Sequence, residues 1–454
     1  MPSFDMVRFM KHKTYNIITL GCQMNKSDSE RIAGYLENLG YKLNNDRYSS
    51  DLVVVNTCGV RQSAEDRIYG IIPRIKKKNP KAKIVLTGCL SNREDVKKRL
   101  KEKVDIWLPT VQIPNLKYQI TNKFQIPNNK SQSCGYLKIK SKYSSMISAF
   151  VPIGNGCNNF CSYCVVPMAR GGEVYRPAKD IVQEVENLVK IGYKEINLIA
   201  QNVNSYKSQI TNNKFQTNSK LQITNSKQIN FSGLLQMINS ISGNFWIRFS
   251  TSHPKDMSDE LIKIITNCKK VCRHIHLPAQ SGDNEILKKM NRNYTAGHYK
   301  KLIKKIRRAM PDTSITTDAI VGFPGETREQ FNNTAELFKE MKFDMAYVSK
   351  YSPRPGTAAE NLDDNVSREE KKKREENLMR ILRKTAWENN KQYIGEIVEV
   401  LIEGEKNNFY FGKIKTGKSV RIMNYELGIR NLVGKFVKVK IIKSRDFGLE
   451  GEIA

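Results

Sequence analysis

The apolar positions in the first hundred residues follow two alternating periods. Residues 15–20, 51–55 and 83–86 are apolar runs of strand length, whereas 28–39, 61–77 and 93–100 space their apolar residues as helices do. Strands alternating with helices predict a parallel sheet covered on both faces, because parallel neighbours need a crossover connection. The alternation resumes before Cys157 and runs to about Tyr351. Residues 367–389 form a densely charged helical stretch, expected to link and brace with one face solvated. Beyond Ile394 the pattern shortens to strands separated by glycine turns, at 397–402, 409–414, 419–423 and 436–442, which fit a small β-barrel.

Two stretches break this order. Residues 115–133 and 205–230 are rich in Asn, Lys, Gln, Thr and Ser, and they echo one another: Gln-Ile-Thr-Asn begins at Gln119, Gln209 and Gln222. The units of a repeat fold stack without interruption, so copies this far apart read as inserted low-complexity loops.

The chain has 454 residues, enough for two or three domains that each bury a core. Its formal net charge of +31 favours a polyanionic partner, nucleic acid first. Lys, Asn and Ile are all abundant, however, so a biased composition explains the charge equally well. No apolar run reaches membrane-spanning length, and the N-terminus lacks a charged-then-apolar leader, so a cytoplasmic protein without membrane association is expected. Nine cysteines in such a chain point to metal or cluster ligation rather than a secreted disulfide framework.

The strongest local signal is Cys157-Asn-Asn-Phe-Cys161-Ser-Tyr-Cys164. Three closely spaced thiolates grip one face of a cubane, and with no fourth Cys nearby one iron stays open, as a catalytic metal site requires. A zinc site is the alternative for the spacing alone. The spacing resembles that of the radical-SAM superfamily, in which the open iron chelates S-adenosylmethionine and one electron cleaves it to a 5′-deoxyadenosyl radical. Tyr163, directly before the third Cys, adds to this resemblance. Downstream, Gly171-Gly172-Glu173 is a candidate for holding the methionine ammonium of that cofactor, with the carboxylate as acceptor. A plain glycine turn with an exposed Glu is the alternative.

Cys22, Cys58 and Cys89 each follow a predicted strand of the first sheet, and each sits beside a glycine, Gly21, Gly59 or Gly88. Ligands of parallel α/β sheets bind at the carboxyl ends of the strands, and glycine lets backbone approach a bulky group. Three matched positions predict a second three-cysteine cluster site. Cys134, Cys268 and Cys272 show no ligand spacing and read as structural or incidental.

These residues make the chain resemble the methylthiotransferase family of radical-SAM enzymes. Gly21-Cys22-Gln23-Met24-Asn25, Asn56-Thr57-Cys58 and Thr87-Gly88-Cys89 resemble its N-terminal domain, the middle resembles the radical-SAM partial (β/α) barrel, and the end resembles the RNA-binding TRAM β-barrel. The fold expected is therefore α/β: an N-terminal parallel-sheet α/β domain over 13–130 carrying an auxiliary cluster, a radical-SAM core over 143–380, and a TRAM domain over 390–454. Arg248-Phe-Ser-Thr-Ser-His-Pro254, His276-Leu-Pro-Ala-Gln-Ser-Gly282, Met290-Asn-Arg-Asn-Tyr-Thr295, Asp318-Ala-Ile-Val-Gly-Phe-Pro-Gly-Glu326 and Tyr351-Ser-Pro-Arg-Pro-Gly-Thr357 narrow the resemblance to the MiaB branch, which acts on isopentenyl-modified adenosine in tRNA.

The resemblance implies two 4Fe-4S clusters, one on Cys22, Cys58 and Cys89 and one on Cys157, Cys161 and Cys164. It also implies two S-adenosylmethionine molecules, one methylating a cluster-borne sulfur and one yielding the radical. The implied partners are the tRNA anticodon stem-loop, an electron donor and a sulfur source, with a monomer expected. Lys413, Lys415, Lys418 and Arg421 in the C-terminal barrel are candidate phosphate contacts. Met168, Ala169 and Gly172 depart from the branch, which usually has Tyr, Thr and Glu there. The alternatives are methylthiolation of threonylcarbamoyladenosine in tRNA or of a ribosomal-protein aspartate, and a non-catalytic RNA-binding iron–sulfur protein. Thr251-Ser-His-Pro254 speaks against the first two and the intact three-Cys loop against the last.

Overall fold

The computed structural model describes residues 13–60, 62–120, 132–209, 228–423 and 431–454. Arg61 and most of both low-complexity stretches, including most of their repeated segments, lie outside the described residues, as does the Cys134 side chain. The chain forms two compact units, Met1–Ser144 with Val165–Gly171, and Ser145–Cys164 with Gly172–Ala454.

The first unit is built on a five-stranded parallel sheet of order β2-β1-β3-β4-β5: β1 Thr14–Thr19, β2 Lys42–Leu43, β3 Leu52–Thr57, β4 Lys83–Gly88 and β5 Ile106–Trp107. Every residue of β3 is buried, which fits the central strand of a sheet covered on both faces. Its helices are α1 Gln23–Asn38, α2 Gln62–Lys78, α3 Glu94–Leu100, α4 Leu116–Ile120, α5 Gln132–Leu137 and α6 Val166–Arg170. Helix α1 starts five residues earlier than its apolar spacing predicts. Its first turns bury Asn25, Ser27, Asp28, Ser29, Glu30 and Arg31, polar residues whose partners lie in the interior, so no amphipathic signal marks them.

The second unit begins with two three-stranded parallel sheets. One pairs β6 Ser148–Pro152, β9 Glu195–Ile199 and β12 Trp246–Phe249 in order β12-β9-β6; the short strands β7 Gly154–Asn155 and β8 Val174–Tyr175 pair beside it. The strands β10 Lys207–Gln209 and β11 Gln228–Asn230 pair antiparallel, so the flanks of the second insert form a ribbon where the composition predicts only loop. The other sheet has order β13-β14-β15, with β13 His274–His276, β14 Ser314–Val321 and β15 Met345–Lys350. An isolated parallel bridge ties Ile247 of β12 to Val271, in the segment that leads into β13. The crossover helices are α7 Ala178–Lys190, α8 Phe231–Asn239, α9 Asp259–Asn267, α10 Asn284–Lys289, α11 Ala296–Ala309 and α12 Arg328–Met341. The result is an open, partial (β/α) barrel.

Helix α13 Arg368–Lys391 buries Leu378, Leu382 and Ala386, and its Arg374 donates to the buried Glu326 carboxylate at 2.7 Å, so it braces as its charge pattern predicts. A closed antiparallel-rich barrel follows, in order β16-β17-β18-β20-β19: β16 Ile397–Lys406, β17 Phe409–Ile414, β18 Ser419–Met423, β19 Phe436–Arg445 and β20 Gly448–Ile453. Pairing of β16 with β19 completes the closure and removes the exposed edges. Among the described residues no helix is long and apolar enough to cross a membrane.

Candidate functional site

In the first unit the carboxyl ends of β1, β3 and β4 stand in one row, because Thr19 pairs with Asn56 and Asn56 with Thr87. Cys58 and Cys89 directly follow β3 and β4, and Cys22 is the extended residue that starts α1. Their turns are packed closely. Gly21 has φ +134°, and a Cβ there would lie 2.6 Å from the Cys58 Cβ, so only glycine permits the approach. A Cβ on Gly59 would meet the Cys89 Cβ at 3.3 Å and the Val165 side chain at 3.4 Å.

Asn25 ties these turns together. Its amide nitrogen donates to the carbonyls of Leu20 at 3.0 Å and Thr57 at 2.8 Å, while its Oδ1 lies 3.4 Å from the Cys22 Sγ. Asn56 Nδ2 donates to the Asn25 carbonyl at 2.8 Å. Cys58 and Cys89 are buried and Cys22 is exposed, so the triad has one solvent-facing side. Beneath it, the Arg170 guanidinium of α6 donates to Asp28 at 2.6 Å and to Asn25 Oδ1 at 3.2 Å, and Asp28 also accepts from Tyr136. Burial alone would lower the Arg170 pKa, but the opposing charges of Asp28 and Cys89 outweigh it and drive it well above the ordinary value.

In the second unit the loop carrying Cys157, Cys161 and Cys164 lies just beyond β6 and β7, at the carboxyl end where (β/α) barrels place their chemistry. The loop is fastened at several points. Ser162 donates through N to the Met290 carbonyl at 3.1 Å and through Oγ to the Lys289 carbonyl at 2.8 Å, and Asn291 Nδ2 donates to the Phe160 carbonyl at 2.8 Å. Phe160 and Asn291 both adopt left-handed backbone, at φ 47° and 54°. Such strain concentrates at functional loops. The sulfurs also have donors: Arg292 Nη1 stands 3.4 Å from the Cys161 Sγ and Asn159 Nδ2 3.4 Å from the Cys157 Sγ. Hydrogen bonds of this kind set the potential of a cluster held by such thiolates.

Glu173 lies beside this loop. Its N–H donates to Asn158 Oδ1 at 3.1 Å, and its carboxylate accepts from Tyr175 at 2.5 Å and Ser205 at 3.3 Å. Gly172 packs there too, with Asn158 Oδ1 at 3.2 Å from where a Cβ would stand. Gln201 beyond β9 accepts from the Gly156 N–H at 2.6 Å. Asn202 beyond β9, Ser252 beyond β12 and Gln280 beyond β13 each bury a side-chain oxygen that has no hydrogen-bond partner among the described residues. Buried polar atoms are almost always paired. Three unpaired ones after three strand ends of one barrel fit a polar cofactor or substrate.

Among the described residues no three His, Cys, Asp or Glu side chains are grouped about a single-ion position. The ligands of a cubane each take a different iron, so a cubane makes no such demand. The closely packed glycine turns, the sulfur-directed donors and the unpaired oxygens fit two 4Fe-4S clusters and S-adenosylmethionine. Cys268 and Cys272 are buried in the second unit, and burial pushes the Cys272 thiol up to about 12, an inert structural cysteine.

The C-terminal barrel corrects two expectations. Lys418 is buried and paired with Asp344, and Lys415 donates to the Lys269 carbonyl, so both turn toward the (β/α) barrel instead of offering charge to phosphates. The β17–β18 turn that carries them is pulled inward by Arg248, which donates to the Ile414 carbonyl at 2.8 Å. Lys413 pairs with Glu403 at 2.7 Å, and Arg421, about half exposed, lies over the Phe409 ring at 3.4 Å. Sequence reasoning missed Arg170, Asp28, Arg292 and the three unpaired oxygens. Arg292, Ser252 and Gln280 stand inside motifs singled out above; Asn202 and Asp28 carried no signal of their own.

This architecture and loop define a radical-SAM protein. The profile described as "Radical SAM superfamily" matches residues 151–338, "Uncharacterized protein family UPF0004" matches 14–109, and "TRAM domain" matches 391–454. The radical S-adenosylmethionine methyltransferase TsrM from Kitasatospora setae, solved with cobalamin and an iron–sulfur cluster, is similar with TM-score 0.55 at 15% identity over 77% of each chain, a likeness of fold alone. The sequence relatives are more specific. Proteins named tRNA-2-methylthio-N(6)-dimethylallyladenosine synthase are 42% identical in Syntrophomonas wolfei, covering 97% of each chain, and 41% identical in Thermoanaerobacter pseudethanolicus, covering 98% of this chain and 93% of that one. The chain belongs to the tRNA-2-methylthio-N(6)-dimethylallyladenosine synthase family.

Proposed function

We infer that the chain is a radical-SAM tRNA methylthiotransferase that replaces the hydrogen on carbon two of an isopentenyl-modified adenosine beside the anticodon with a methylthio group. The observation that carries this reading is the presence of two three-cysteine sets, one after the carboxyl ends of β1, β3 and β4 and one on the loop beyond β6 and β7. That carbon-bound hydrogen is not acidic, so a general base has little purchase on it. The clusters and S-adenosylmethionine, when bound, supply the one-electron chemistry the protein itself lacks.

The protein's residues hold and orient. Cys157, Cys161 and Cys164 would hold the radical-forming cluster, with Arg292 and Asn159 donating to the Cys161 and Cys157 sulfurs. Cys22, Cys58 and Cys89 would hold the second cluster, whose chemistry would be to carry the incoming sulfur. Gly172 and Glu173 would meet the methionine end of the cofactor, and the unpaired oxygens of Asn202, Ser252 and Gln280 would supply further polar contacts to cofactor or substrate. His253 is buried beyond β12, its ring against Tyr294. Burial first, then Arg292 and Lys255, push its pKa down to about 2, so it stays neutral. The TRAM barrel, spanning 390–454, holds the anticodon stem-loop. A monomer in the cytoplasm is sufficient for this task.

The test is substrate competition. Anaerobically reconstituted protein is given equal isopentenylated and threonylcarbamoylated tRNA with S-adenosylmethionine and reductant, and nucleosides are separated by mass spectrometry. Methylthio-isopentenyladenosine alone is expected. A methylthio product only on threonylcarbamoyladenosine would move the chain to the sister activity, and release of no 5′-deoxyadenosine would favour a non-catalytic iron–sulfur protein.

A further inference from the structure

The buried ion pair between Arg170 and Asp28 takes no part in the scheme above. Both side chains are almost wholly enclosed, at 3% and 0% exposure, within the first unit. Arg170 reaches Asn25 Oδ1 at 3.2 Å, and that same oxygen faces the Cys22 Sγ at 3.4 Å. Val165, at the head of the same segment, packs where Gly59 leaves room beside Cys89. Residues 165–170 thus underlie the N-terminal cysteine triad, although in sequence they follow Cys164, the last cysteine of the other triad.

We propose that Arg170 is a positioning residue for the N-terminal cluster, orienting the Cys22 turn through Asn25 and, as an ion pair with Asp28, keeping uncompensated negative charge away from that cluster. This rests on the two-cluster reading given above. A thiolate-ligated cluster is anionic, and reduction adds a further electron. Removing the guanidinium alone leaves the Asp28 carboxylate buried without its counter-charge, with Tyr136 as a neutral donor, which opposes ligation and reduction together. Removing both charges takes away that penalty while still losing the hydrogen bond to Asn25.

The test uses the full chain with Cys157, Cys161 and Cys164 all replaced by Ala, so that only the N-terminal cluster assembles. Iron content after anaerobic reconstitution, the midpoint potential and the spectrum of the reduced cluster are compared for Arg170, Arg170→Lys, Arg170→Met and Arg170→Met with Asp28→Asn. Arg170→Met is expected to retain less iron and to show a more negative midpoint. Arg170→Lys keeps the charge and should hold the midpoint near that of Arg170. The double variant should recover most of the midpoint shift. An unchanged midpoint and iron content in Arg170→Met would overturn the proposal. So would a double variant no better than Arg170→Met when both unfold at the same lowered temperature, because the pair would then be structural only. If the substrate reading fails and these readouts still move, the positioning role stands independently of which tRNA is modified.

Discussion

Replacing Arg248 with Met tests how the C-terminal barrel is held to the (β/α) barrel of the same unit. Arg248 extends from β12, pairs with Glu195 on β9, and donates to the carbonyls of Ile414 at 2.8 Å and Lys415 at 3.3 Å. Arg248 is 7% exposed and Glu195 2% exposed, so the pair lies out of water. Loss of one partner of a buried pair costs about 3–5 kcal/mol, chiefly because the other charge is stranded. The two carbonyl bonds fall within that range, since such terms do not add. Among the described residues Glu195 would keep Ser148 and Asn197 as donors, each at 2.9 Å.

The pH dependence has a definite sign. Burial pushes the Glu195 carboxyl up, but Arg248 and Asn197 outweigh it and hold it below the usual carboxylate range. The pair's contribution is therefore present above the unfolded carboxylate value and is lost as the pH falls through the lowered folded value. Without Arg248 burial dominates, the carboxyl rises, and the deficit of Arg248→Met shrinks as acid protonates it. The assay is denaturant unfolding followed by fluorescence of Trp246, with Trp107 and Trp387 replaced by Phe; Trp246 packs on Phe436 of the C-terminal barrel at 4.9 Å between ring centres. Adding Glu195→Gln should recover part of the loss. A deficit below about 1 kcal/mol, typical of an exposed pair, or one that grows on acidification, would refute the reasoning.

Further outcomes follow from the same contacts. Gly21→Ala places a methyl 2.6 Å from the Cys58 Cβ at φ +134°, so iron content after reconstitution should fall by about half, reflecting loss of the N-terminal cluster alone. Arg421→Ala and Lys413→Ala should each weaken tRNA binding and reduce its salt slope by about one, whereas Lys418→Ala should lower stability and leave the slope unchanged. Because His253 is buried neutral, its contribution to stability is present above its ordinary pKa and declines as the pH falls below it; His253→Asn should flatten that acid-side slope in thermal unfolding.

The strands and both cysteine triads were legible because their signals are local. An apolar run followed by Gly-Cys or Thr-Cys announces a strand and the turn at its end, and three cysteines within one loop announce themselves. The start of α1 was not legible, because Asn25, Asp28 and Arg31 are buried by partners such as Asn56, Tyr136 and Ser27. Arg170 was invisible for the same reason: its partner Asp28 lies 142 residues away, and no spacing encodes such a contact. Lys415 and Lys418 misled because a basic turn in a small barrel reads as a phosphate site unless its inward anchors, Lys269 and Asp344, are known. Strand β20, whose Leu-Glu-Gly-Glu core alternates weakly, escaped a reading that depends on apolar period.

The proposed function divides the labour between the two cysteine triads. Its most direct test is to quantify 5′-deoxyadenosine and methylthio-isopentenyladenosine from one reaction, in the unaltered chain and in Cys58→Ala. The unaltered chain should yield both. Cys58→Ala should still release 5′-deoxyadenosine and form no methylthio nucleoside. Methylthio product from Cys58→Ala would contradict the account.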